Sequence, residues 1–201
     1  MEQSGVPERA QALLDFWFGP PGDAAHEQHR QIWFKSTPEH DDRLRELFLA
    51  DYERAAGGVL VSWEAAPESA LALVLLLDQI PRNIFRGEPR TYATDLAARA
   101  AADRALARGF DAALPPAWRK FFYMPFHHSE DLADQRRARA LAESLPKDRD
   151  PDRERGGLRR YGRPYVDVIE RFGRFPHRNA ILGRVSTPEE LAFMEAARAP
   201  L

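Results

Sequence analysis

The stretch LALVLLLDQIPRNIFRG, residues 71–87, decides what kind of chain this is. From Leu71 to Leu77 every residue is apolar, so a helix built from them has no face suited to water. Such a helix belongs at the centre of a fold. The run then breaks into Asp78 and Gln79, and Pro81, Arg82 and Asn83 follow after a single Ile80. A residue before proline is biased out of the helical region, so the helix is expected to end near Ile80. Asp78 would then sit close to the negative end of the helix dipole, where a carboxylate is disfavoured. A buried charge there needs a partner. Arg82 is the nearest, with Arg174 and Arg178 as distant ones.

Outward from this segment the chain keeps a helical rhythm. VPE at 6–8, TPE at 37–39, APE at 66–68 and TPEE at 187–190 each place proline just before glutamate. Proline suits the first helical position and acids suit the positive end of the dipole, so these are expected helix starts. Thr187 and Glu190 also match a capping box. Leu44, Leu47 and Phe48 recur at three and four. DLAARAAADRALARGF, 95–110, closes on a glycine stop, and SEDLADQRRARALAESL, 129–145, opens on Ser129 as its expected N-cap with Glu130 and Asp131 in the first turn. No convincing alternating strand is present. The expectation is all-α: a single domain over residues 1–201 with about seven to nine antiparallel helices, most of 10 to 18 residues. PKDRDPDRERGG, 146–157, reads as a charged flexible loop.

Composition narrows the function classes. At 201 residues the chain can form one good core, and 44% hydrophobic with 30% charged residues is ordinary for a soluble protein. A net charge of −2 argues against a general nucleic-acid binder. With no cysteine, disulfides, thiolate metal sites and cysteine nucleophiles are excluded. MEQSGVPERAQ lacks the form of a signal peptide, and the longest apolar run is far short of the roughly 20 residues that cross a bilayer. No membrane association and a cytoplasmic location are expected.

Three polar clusters need explaining. Asp78, Gln79, Arg82 and Asn83 read either as a network that satisfies free carbonyls at a helix stop, or as a pocket floor where arginine meets a carboxylate or phosphate. GRFPHRN, 173–179, repeats the idea. There Arg174, His177, Arg178 and Asn179 form either an anion grip or a loop that ties helices through backbone carbonyls. In FFYMPFHHSEDLADQ, 121–135, His128 with Glu130 or Asp131 could be an acid–base pair, and Asp131 and Gln135 share a face of the expected helix. For the two acids, helix-start chemistry competes with that role. Trp17, Trp33 and Trp63 are expected in the core. HEQH at 26–29 has the wrong spacing for a zincin helix, and no Walker loop, dinucleotide glycine pattern or GxSxG is present. No metal and no cofactor are expected.

LDFWFG (14–19), LALVLLLDQIPRNIFRG, FFYMPFHHSEDLADQ and RFGRFPHRNAILGRVSTPEE (171–190) together resemble domain-of-unknown-function family 924, a largely bacterial family. The resemblance runs from about Leu13 to Phe193. It implies an all-helical fold like that of tetratricopeptide repeats and no established activity. The matching residues are Asp15, Trp17, Asp78, Gln79, Pro81, Arg82, Asn83, His128 to Asp131, Gln135 and Gly173 to Asn179.

Three functional readings follow. In the first, the clusters form one small-molecule site: Arg82, Arg174 and Arg178 hold an anion, Asn83 and Asn179 orient it, and His128 moves protons. In the second, the chain is a helical scaffold that binds a peptide or protein. In the third, the polar motifs only lock helix ends together.

Overall fold

A computed structural model describes residues 5–23, 26, 30–33, 36–145, 159–160 and 163–196. Among them are eight α-helices: α1 Glu8–Phe18, α2 Pro38–Ala56, α3 Pro67–Ile84, α4 Asp95–Ala107, α5 Pro116–His127, α6 Leu132–Ser144, α7 Tyr165–Phe172 and α8 Pro188–Ala196. A single antiparallel pair, Arg159–Arg160 with Arg163–Pro164, is the extended backbone among the described residues. The chain is all-helical in class, as its apolar spacing demands. The loop expected at 146–157 lies outside the described residues, as do residues 27–29 of the HEQH stretch.

The helix starts follow their local chemistry. Pro38, Pro67 and Pro188 each occupy the first helical position, while Pro7 sits one residue ahead of α1. At α8 the capping box closes in both directions. The Thr187 N–H donates to Glu190 Oε2 at 2.8 Å, and the Glu190 N–H donates to Thr187 Oγ1 at 3.2 Å. Gly109 stops α4 in the left-handed region at φ 70°, where a side chain would be strained.

The chain gathers into two compact units, Met1–Pro125 and Phe126–Leu201. In the first, α3 is the central element and packs against α1, α2 and α4. It is buried without a break from Ser69 to Pro81. Each leucine fully removed from water there contributes about 1.5–3 kcal/mol, so this one helix carries much of the unit's core. Trp17, Trp33 and Trp63 are all buried, as expected. In the second unit α6 packs on α7, and Val168, Ile169 and Phe175 form a small core edged by Leu132, Tyr165, Phe172 and Phe193.

One expectation is corrected. The central helix does not end near Ile80; it runs through Pro81 to Ile84. Pro81 has no N–H, so the Leu77 carbonyl one turn earlier loses its helical donor. Thr94, just ahead of α4, supplies the replacement: its buried hydroxyl donates to Leu77 O at 2.6 Å. That bond comes from a residue 17 positions away and removes much of the cost of an internal proline. Thr94→Val keeps the shape but deletes the donor. We expect it to lower the urea unfolding free energy by about 1–3 kcal/mol, the cost of a buried carbonyl left unpaired. An unchanged midpoint would show that the proline gap is bridged in another way.

Candidate functional site

In the first unit, α3 carries the DQIPRN motif on its last two turns. Asp78 is 0% exposed. Gln79 Nε2 donates to Asp78 Oδ2 at 2.5 Å, and Arg82 Nη1 lies 3.3 Å from Asp78 Oδ1. Arg82, the nearest of the three candidates, is therefore the partner. Its other terminal nitrogen donates to Asp95 Oδ1 at 2.8 Å, on the first turn of α4. Burial works against the Arg82 charge, but Asp78 and Asp95 outweigh it and hold the guanidinium firmly protonated.

The same residues close off carbonyls of α3. Arg82 Nη1 donates to Asp78 O at 2.6 Å and Asn83 Nδ2 to Gln79 O at 3.2 Å. Arg45, from α2, donates to Ile84 O, and Thr91 to Phe85 O. Ile84 O lies in the last turn of the helix, where no intrahelical donor reaches it, and Arg45 supplies one; Asp78 and Gln79 lie a turn further in, so there the side-chain bonds add to the helical ones.

In the second unit the HHSED and GRFPHRN motifs come together. Glu130 is the meeting point. Its carboxylate accepts from the Phe175 N–H at 2.7 Å, from Arg184 Nη1 at 2.7 Å and from Arg184 Nη2 at 2.9 Å. Burial would raise its pKa, but the Arg184 and Phe175 bonds and the nearby Arg178 charge bring it below the usual carboxylate value. Arg178 is buried, its guanidinium sits 4.6 Å from the Phe175 ring centre, and Nη2 donates to His128 O at 2.9 Å. Gln135, on α6 and almost fully buried, points one amide nitrogen at three carbonyls: Phe126 O at 3.4 Å, His127 O at 2.6 Å and Ser129 O at 2.6 Å. Three acceptors around one atom fix which way the amide faces.

A second carboxylate anchors α8. Glu190 is buried and accepts from Arg174 Nε at 2.6 Å, Arg174 Nη2 at 2.8 Å and Asn179 Nδ2 at 3.1 Å, in addition to its capping bond. Asn179 also donates to Ser186 Oγ at 3.0 Å. His177 is half-buried, with its ring tilted against Phe175.

The paired Arg174, with the Thr187 N–H and Asn179, pulls the Glu190 pKa from 4.5 down to about 2. A carboxylate with a depressed folded pKa stabilises fully above its unfolded value, and that stability is lost as pH falls through the folded value. We therefore expect unfolding free energy to drop as pH falls from about 4.5 to about 2. Glu190→Gln should flatten this part of the profile in urea titrations. An unchanged acid limb in the variant would remove Glu190 as its cause.

The N-cap expectation at 129–131 is also corrected. The cap of α6 is Asp131, not Ser129: Asp131 Oδ1 accepts from the N–H groups of Ala133 at 2.7 Å and Asp134 at 3.4 Å. Ser129 instead donates to Asp134 Oδ2 at 2.7 Å and accepts from the Asp131 N–H. Glu130 thus lies ahead of the helix and is free to reach Phe175 and Arg184. Of the residues singled out as a possible acid–base trio, Glu130 and Asp131 direct their carboxylates to a salt bridge and a cap, while the His128 backbone carbonyl is held by Arg178.

Sequence reasoning passed over Arg184, Asp95 and Thr94. Arg184 stood within the stretch RFGRFPHRNAILGRVSTPEE, but only its pairing with a residue 54 positions away distinguishes it from the chain's other arginines. Asp95 looked like an ordinary first-turn acid. No described group of three or more histidine or acidic side chains is placed to hold a metal, and no described helix is long and apolar enough to cross a membrane.

The arrangement of these motifs in order can be set against known proteins. A family model described as a bacterial protein of unknown function, DUF924, matches residues 13–198. The chain belongs to that family. A solved structure described as a protein of unknown function from Agrobacterium tumefaciens shares 42% identity with it, covering 92% of this chain and 96% of that one at a TM-score of 0.75. No curated protein matches the chain. DUF924 membership thus shows the family and the helical fold, and the chemistry has to be argued from the residues themselves.

Proposed function

We propose that the polar motifs of this DUF924 chain are helix-end locks, and that the protein works as a helical scaffold and not as an enzyme built on these residues. One observation carries the reading: the motif side chains point at backbone carbonyls near helix ends. Arg82 and Asn83 serve α3, Gln135 serves the end of α5, and Arg178 serves the carbonyl that follows it. His127 O, at the end of α5, has no intrahelical donor, and a buried carbonyl left unpaired costs about 1–3 kcal/mol, which is reason enough to place a strong donor there. On α3 the bonds of Arg82 and Asn83 reinforce carbonyls that the helix already pairs.

An anion grip built on Arg82 and Arg174 is less well supported, because Arg82 already faces the fully buried Asp78 and Arg174 the buried Glu190. A scaffold would offer its outer surface to a peptide or protein, the kind of role that helical folds host without a catalytic site.

Arg178→Gln tests the reading. Gln is shorter and neutral, so both the ring stacking and the bond to His128 O should weaken. The expected loss is about 2 kcal/mol or more in urea unfolding. A variant as stable as the parent would sink the lock, because it would mean Arg178 is kept at the expense of stability.

A further inference from the structure

We propose that Arg184 and the Phe175 N–H form a carboxylate-binding seat which Glu130 fills from within the chain, and that a small organic carboxylate binds there in exchange for Glu130. The donors match that ligand. A guanidinium presents two parallel N–H groups to a carboxylate, and here both terminal nitrogens of Arg184 do so, with a backbone N–H as the third donor.

The seat is held by bonds that do not involve Glu130. Arg184 Nη2 also donates to Phe175 O at 3.2 Å, and the Arg184 N–H donates to Asn179 O at 2.7 Å. Phe175 is buried, with Arg178 against its ring. When Glu130 leaves, the donors therefore keep their places, and Arg178 adds positive charge beside them.

Glu130 is also placed to leave. It belongs to no helix, and its neighbours are fastened separately: Ser129 to Asp134, and Asp131 to the start of α6. Its side chain can swing out without undoing that connection. Both sides of the pair are within reach of solvent, with 27% of the Glu130 side chain and 24% of the Arg184 side chain exposed. The Glu190 pair is different: its carboxylate is 3% exposed and tied into a capping box, so no external acid can replace it. The two pairs thus differ in kind, one a closed anchor and one an exchangeable contact.

Acetate rescue of the full-length Glu130→Ala chain tests the seat. At acetate concentrations near saturation, the thermal midpoint of the variant should rise by about 2 °C or more over sodium chloride of equal ionic strength. The parent, where acetate has to displace Glu130, should respond in the same direction but less, and the double variant Glu130→Ala with Arg184→Gln should not respond. If Glu130→Ala does not fold by itself, recovery of its helical circular dichroism in acetate but not in chloride is the same result. No rescue in acetate overturns the proposal. So does an equal rescue in the double variant, which would place the anion elsewhere, or a larger effect of inorganic phosphate, which would overturn the carboxylate assignment.

Discussion

Arg82→Gln is expected to lower the unfolding free energy by about 3–5 kcal/mol, because it removes the charge opposite a carboxylate that has no access to water. Asp78 is fully buried on the central helix, and Arg82 Nη1 faces one of its oxygens while Gln79 donates to the other. Gln at 82 is too short and too neutral to hold that oxygen, the Asp78 backbone carbonyl and Asp95 at once. Three partners lose a donor in one substitution. The cost is mostly that of the buried charge left behind, so Asp78→Asn in the same chain should return part of the loss. Urea unfolding of the two single variants and the double, read as a cycle, checks this. A loss under about 1 kcal/mol for Arg82→Gln would mean that Asp78 takes up a proton at little cost, and the lock at the end of α3 would have to be abandoned.

Gln135→Glu should be as damaging for a different reason. The two side chains have nearly the same shape, but the substitution replaces a donor by an acceptor. The amide nitrogen of Gln135 sits among the carbonyl oxygens of Phe126, His127 and Ser129 in a place almost closed to water. A carboxylate there would face three oxygens, lose the bonds and be desolvated together. The expected loss at pH 7 is about 4 kcal/mol or more. Burial and the carbonyl oxygens would raise the folded pKa of the introduced acid, so the variant should regain stability as pH falls, the opposite sign to the parent's Glu190. A Gln135→Glu chain as stable as the parent at neutral pH would show that the amide is not the clasp at the end of α5. Gln135 would then return to the residues available for a ligand.

Both predictions rest on side chains whose identity was visible in the sequence; the partners of Gln135 were not. Arg82 was legible as the nearest partner for Asp78 by its closeness in the chain, but the four-residue helical spacing that joins them exists only because α3 runs on to Ile84. The capping box of Thr187 and Glu190 was legible for the same local reason. Ser129 misled, because serine, glutamate and aspartate in a row all suit a helix start. Local propensity cannot rank Ser129 against Asp131 when Asp134 and Gln135 both compete for the turn. Pro81 misled because its cost is offset by Thr94, and a hydroxyl from 17 residues away leaves no trace in the proline's own surroundings.

The candidate site divides along the same line. That arginines, asparagines and a glutamine cluster near helix ends could be read from DQIPRN and GRFPHRN. Whether those groups face a ligand or the chain itself could not, because the same donors serve either purpose. What settled the geometry was the position of Asp95, Glu130 and Glu190, each brought to its arginine by packing.

The sequence by itself determined the helical class, the buried central helix and most helix starts, because apolar spacing and proline–glutamate pairs act within a few residues. Only the tertiary structure decided that α3 continues through its proline, that Asp131 caps α6, and that Glu130 sits in the fork of Arg184. Those outcomes depend on donors and acceptors between 2 and 54 positions apart in the chain. Only folding brings the distant ones within hydrogen-bond reach.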